Sequence, residues 1–171
     1  MVAMDDYRNS DRCSINDFNK KNMKDLYVVL DPGHGGLDPE TGKYVTAGKR
    51  SPKFDDGSVL YEGVNNREIV SMLLDAFEKD NINAIDIVND WRDVSLGERV
   101  RRANELDREL DTIYISIHSD AFGNGRDWAS PSGMSVYTSV GQTKSDIIAE
   151  HVINELKCNF ENTVKWRRNR S

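Results

Sequence analysis

Histidine is scarce in this chain, with His34, His118 and His151 the whole complement, and two of the three stand where chemistry is expected. His34 lies between glycines at the end of "LYVVLDPGHGG", Leu26 to Gly36. An apolar run that ends in Pro and Gly reads as a strand buried on both faces. His34 then projects from a strand's carboxyl end, where open α/β sheets keep their ligand sites. Gly33, Gly35 and Gly36 add no side-chain bulk, so the backbone can bend sharply and something can approach it closely. A core histidine with a hydrogen-bond partner is the alternative for His34. His118 closes a second strand, and in a parallel sheet both histidines reach the same edge. Two imidazoles converging there invite a metal, and catalytic zinc sites typically use three protein ligands plus water. The third should be a histidine or a carboxylate. Glu62, in "LYEGVNN", sits where a long loop meets a helix and can face the same edge. His151 is the poorer candidate, since it falls mid-helix beside Val152 and reads as a partly exposed surface residue.

The elements that must position these side chains follow from periodicity. From Asn66 the pattern turns helical, with Ile69, Val70, Leu73, Leu74 and Phe77 on one stripe of a 3.6 period. "AIDIV", Ala84 to Val88, is a short strand. "SLGERVRRANEL" starts a second helix, with Ser95 and Glu98 spaced as a capping box. "TIYISIH", Thr112 to His118, alternates strictly: Ile113, Ile115 and Ile117 share one face, Tyr114, Ser116 and His118 the other. "GMSVYT", Gly133 to Thr138, reads as a further strand. A helix from about Thr143 to Leu156 should bury Ile148, Val152, Ile153 and Leu156. The order β-α-β-α-β-β-α predicts a single α/β domain over residues 25–171, with a mostly parallel central sheet flanked by helices. Residues 1–24 are polar and aperiodic and read as a flexible or loosely docked arm.

Composition narrows the partners. A chain of 171 residues with 37% hydrophobic and 30% charged content can build one soluble domain with a proper core. Its net charge of -6 argues against general affinity for nucleic acid or anionic membranes. The basic cluster "KWRRNR", Lys165 to Arg170, reads as a solvated end. Cys13 and Cys158 are far apart without CxxC spacing, which suggests neither a zinc knuckle nor a disulfide scaffold. No apolar run is long enough to span a membrane, and no basic-then-apolar leader opens the chain. Synthesis in a cytoplasm is the expectation.

Four stretches in order, "DPGHGG", "EGVNNREI", "SLGERVRRAN" and "ISIHSDA", strongly resemble the zinc-dependent N-acetylmuramoyl-L-alanine amidases, which cleave bacterial cell wall. The resemblance runs from about Leu26 to Leu156. It implies Zn2+ as cofactor, with His34, Glu62 and His118 as its ligands, and peptidoglycan as substrate. It implies cleavage of the amide between the lactyl group of muramic acid and the first L-alanine. The chemistry is consistent: zinc polarises an amide carbonyl and lowers the pKa of its bound water to roughly 7. Asp31 and Asp120 are close enough in sequence to orient the imidazoles, although ordinary turn roles serve them equally well. The loop from Leu37 to Tyr61, with Lys43, Lys49, Arg50 and Lys53, is longer than usual for the family. It reads either as a wall of the substrate groove or as a solvated excursion.

The resemblance also implies a general-base glutamate on a late strand, in a pattern like "VEGGF". This sequence closes on "VKWRRNRS" and contains no such motif, so no catalytic residue is assigned beyond the ligands. The last strands of the sheet are expected to be absent too. A positioned base contributes about 10²–10⁴-fold to rate. The chain therefore reads as a fragment of a longer enzyme, or as one completed by another segment or subunit. A non-catalytic wall-binding or regulatory protein that keeps the metal site is the rival reading. A phosphate-cradling "GHGG" loop is disfavoured, because the GxGxxG spacing and the lysine of a P-loop are missing. A bacteriolytic phage endolysin, released late from the host cytoplasm, fits the lack of a leader.

Overall fold

The structure is a computed structural model that describes residues 26–120, 126–130 and 133–160. The expected arm over residues 1–24, Cys13 and the basic cluster from Lys165 to Arg170 lie outside the described residues. Contacts divide the chain into two compact units, Met1–Ala121 and Phe122–Ser171.

The first unit carries β1 (Leu26–Pro32), α1 (Glu62–Lys79), β2 (Asn83–Asp86), α2 (Leu96–Asp107) and β3 (Asp111–Ile117). The strands form one parallel sheet in the order β2-β1-β3. The central place of β1 explains its apolar run, since both of its faces need cover. Val28 and Leu30 point to one face and pack with Val70, Leu73, Leu74 and Phe77 of α1, and with Ile115 and Ile117. Val29 points to the other face and packs with Ile87, Val88, and Ala103 and Leu106 of α2. Each such side chain, fully buried, stabilises the fold by about 1.5–3 kcal/mol. One helix therefore covers each face, as two crossover connections between parallel strands allow. The α/β class and the parallel sheet flanked by helices agree with the expectation from sequence.

Helix α1 begins at Glu62, four residues before its periodicity becomes visible. Tyr61 at its N-cap supplies no side-chain hydrogen bond. The loop supplies partners instead: Glu62 N–H donates to the Lys49 carbonyl at 3.0 Å, and Gly63 N–H donates to the Tyr44 hydroxyl at 3.0 Å. Helix α2 has its expected cap, with Ser95 Oγ accepting from Glu98 N–H at 3.3 Å. The reciprocal half of the box does not form, because the Glu98 carboxylate pairs with Arg101 at 2.7 Å and Arg102 at 2.9 Å.

The second unit holds α3 (Lys144–Phe160). Asp146 anchors its start, accepting from Thr143 N–H at 2.7 Å and from the Thr138 hydroxyl at 2.6 Å. The expected stripe is only partly covered: Ile148, Ile153 and Leu156 are half-buried and Val152 is exposed. Residues 133–138, expected as a strand, form none. Alternating side chains suit a strand, but a strand exists only when its backbone groups find a ladder. Among the described residues this segment has no such pairing. No helix of the described residues is long and apolar enough to cross a membrane.

Candidate metal centre

Parallel pairing delivers the two histidines to one place. The β1–β3 register runs to Pro32 opposite Ile117, and Gly33 N–H extends the ladder by donating to the Ile117 carbonyl at 2.9 Å. One residue further on, His34 and His118 leave the same carboxyl edge. Gly33 is required there, because a Cβ at that position would overlap the His118 imidazole. Glu62 arrives from α1. It lies on the stripe that continues through Asn66, Val70, Leu73 and Phe77, so the packing that seats the helix on the sheet also aims the carboxylate at the edge. Gly63 lets α1 come this close, since a Cβ there would overlap the Gly35 carbonyl.

Glu62 Oε1 lies 3.2 Å from His34 Nε2 and 3.1 Å from His118 Nδ1. The two rings stand edge to face, 4.9 Å apart and 88° to each other. One donor atom from each of the three residues falls within 4.8 Å of the other two. Ligands at the usual 2.0–2.2 Å from a tetrahedral zinc lie roughly 3.4 Å from one another. The two histidine-to-glutamate separations are close to that, and two imidazoles with one carboxylate form a donor set typical of zinc. The residues fit a zinc ion. The structure thus brings together all three ligands expected from sequence. His151, on α3 of the second unit, is exposed and is not one of the three grouped donors.

The surroundings hold these donors in place. Ser119 N–H donates to Glu62 Oε1 at 3.2 Å. Ser119 Oγ accepts from Asn65 Nδ2 at 2.9 Å and donates to Asn66 Oδ1 at 3.0 Å. Asn66, completely buried, donates to the Gly33 carbonyl at 3.2 Å. The long loop is tied to the site as well. Thr46 Oγ1 accepts from Gly35 N–H at 2.8 Å and donates to Asp93 at 2.7 Å, and Tyr44 stacks on Tyr61 with centroids 4.5 Å apart. Lys43, Lys49, Arg50 and Lys53 are exposed along this loop. The loop is thus not a free excursion, because it completes the start of α1.

Asp31 does other work than orienting an imidazole. Its buried carboxylate is taken by Arg99, by the Tyr114 hydroxyl and by Ser116 Oγ. Burial and the hydrogen bond to Asp31 push the Tyr114 phenol well above its ordinary range. Asp120 is exposed. The His34 imidazole is held below its ordinary pKa, mainly by burial. Glu62 pulls in the opposite sense, while His118 and Lys49 add to the depression. A depressed imidazole is neutral at neutral pH, which is the form that binds a metal.

Sequence reasoning missed Asn66, Arg67, Arg99 and Ser119. A signal existed for two of them. Asn66 shares the buried stripe of α1, and Arg99 stands four residues before Ala103 and seven before Leu106 on the buried stripe of α2. A polar or charged residue on an apolar stripe needs a buried partner.

Fold and site together describe an α/β protein with a three-donor cluster, suited to a divalent metal, at the carboxyl edge of a parallel sheet. The sequence model of the N-acetylmuramoyl-L-alanine amidases matches residues 28–171, and the chain belongs to that family. Membership makes it an amidase-type hydrolase, with peptidoglycan the family's substrate. No curated protein matches it in an individual comparison.

Proposed function

We propose that this chain binds one zinc ion through His34, Glu62 and His118 and hydrolyses the amide between N-acetylmuramic acid and L-alanine in peptidoglycan. The convergence of those three donors at the strand edge, inside the region that defines the family, carries the reading. A zinc ion held there by His34, Glu62 and His118 would supply Lewis-acid chemistry, polarising the amide carbonyl and lowering the pKa of a bound water. The chain's own residues keep the ligands in their binding form and place. Burial keeps the His34 imidazole neutral. Ser119 N–H fixes the carboxylate of Glu62, and the loop backbone around Lys49 and Tyr44 fixes the turn of helix that carries it. The place of action is then the cell wall, after release from the cytoplasm in the manner of a phage lysin.

The test is digestion of purified peptidoglycan by the zinc-loaded chain, with new L-alanine amino termini counted. Release that stops with a chelator and returns with zinc is expected. Zinc-bound protein that holds peptidoglycan but frees no L-alanine termini would contradict hydrolysis by the residues of this chain alone and favour a wall-binding role.

A further inference from the structure

His34 is bound to the rest of the molecule by more than its ring. Its φ is 65°, the left-handed region that non-glycine residues seldom occupy. Its carbonyl oxygen receives two guanidinium donors from opposite faces of the sheet: Arg67 Nη1 of α1 at 2.9 Å and Arg99 Nη2 of α2 at 3.0 Å. Two positive groups converging on one neutral oxygen is costly, and the Arg67 guanidinium is lowered below its ordinary pKa by burial and then by Arg99. Each is therefore anchored elsewhere. Arg67 also donates to the Gly63 carbonyl at 2.9 Å and to the Asp90 carbonyl at 2.8 and 3.0 Å. Arg99, almost fully buried, pairs with Asp31 and donates to the Pro32 and Val94 carbonyls at 2.8 Å.

We infer that Arg67 and Arg99 form a clamp that positions the metal ligand His34 by gripping its backbone carbonyl in the left-handed conformation. The inference rests on the metal reading above. Both lone pairs of that oxygen are occupied, so the peptide cannot rotate without leaving a guanidinium N–H of each arginine short of a partner it now has. A freed His34 relaxes toward an ordinary backbone region, which swings its imidazole away from Glu62 and His118. The planar fork matters more than the charge: lysine keeps the charge but cannot supply divergent donors to several carbonyls at once. Arg67 and Arg99 are positioning residues, since they act on the His34 backbone and neither is one of the three donors.

The experiment compares zinc affinity and unfolding in wild type, Arg67→Lys, Arg67→Gln and Arg102→Lys, using the full chain. Arg102 is the control, since it donates to the Ile87 and Val88 carbonyls at 2.9 and 3.2 Å, away from His34. Either Arg67 variant should lose about 10–100-fold in zinc affinity, the usual range when an outer-shell partner of a metal ligand is removed. The visible spectrum of its cobalt form should change with it. Arg102→Lys should shift the unfolding midpoint with zinc affinity and cobalt spectrum unchanged. Wild-type affinity and spectrum in a folded Arg67 variant would overturn the clamp and leave the metal site standing. No zinc binding by wild type would overturn the metal reading, and the clamp with it.

Discussion

Glu62 Oε1 stands between two ring nitrogens, at 3.1 and 3.2 Å, a convergence that suits a shared cation. Glu62→Gln keeps the shape and the bond from Ser119 N–H but removes the charge. It should weaken zinc binding by more than the roughly 10–100-fold typical of outer-shell changes, as titration calorimetry can read. The neighbouring His34 sets a pH dependence. Its folded pKa is depressed, chiefly by burial, so below its ordinary value near 6.5 the unfolded chain takes up a proton that the folded chain resists. Stability of the metal-free protein should therefore be intact above that pH and fall as pH drops below it. Unfolding midpoints measured in chelator between neutral and mildly acidic pH test the slope, which His34→Gln should flatten.

At the scale of elements, the helix start at Glu62 is the feature that builds the site. A Cβ on Gly63 would overlap the Gly35 carbonyl, and Gly35 belongs to the turn that carries His34. Gly63→Ala should force α1 and that turn apart, cost about 1–3 kcal/mol or more as an overpacked contact, and lower zinc affinity too. Denaturant unfolding and zinc titration of the same variant check both. The sequence shows β1 and β3 plainly because burial on both faces and strict alternation are local patterns. Its apolar period shows α1 only from Asn66 on, because Tyr61 offers no cap and the first turn's donors go to Lys49 and Tyr44 across a long loop. The candidate donors were legible in part because each ends or opens an element, and the family resemblance completed the set. The residues that steady it, Asn66, Arg67, Arg99 and Ser119, act through contacts that local periodicity does not encode. Residues 133–138 mislead for the same reason, since their alternation says nothing about a ladder partner.

At the scale of the molecule, the three candidate donors follow β1, open α1 and follow β3, so a metal held by them would join segments that are far apart in sequence. Binding to the folded chain alone then raises stability by mass action, about 4 kcal/mol at a thousandfold excess over the dissociation constant. The thermal midpoint of wild type should rise on adding zinc and fall with chelator. In His118→Ala the two midpoints should coincide.

The most direct measurement is the zinc content of the purified chain after dialysis, for wild type and for His34→Ala, Glu62→Ala, His118→Ala and His151→Ala. About one zinc per chain is expected in wild type and His151→Ala, with a sharp loss in each of the other three. Full occupancy in any of those three would remove that residue from the ligand set, and a large loss in His151→Ala would contradict the centre as described.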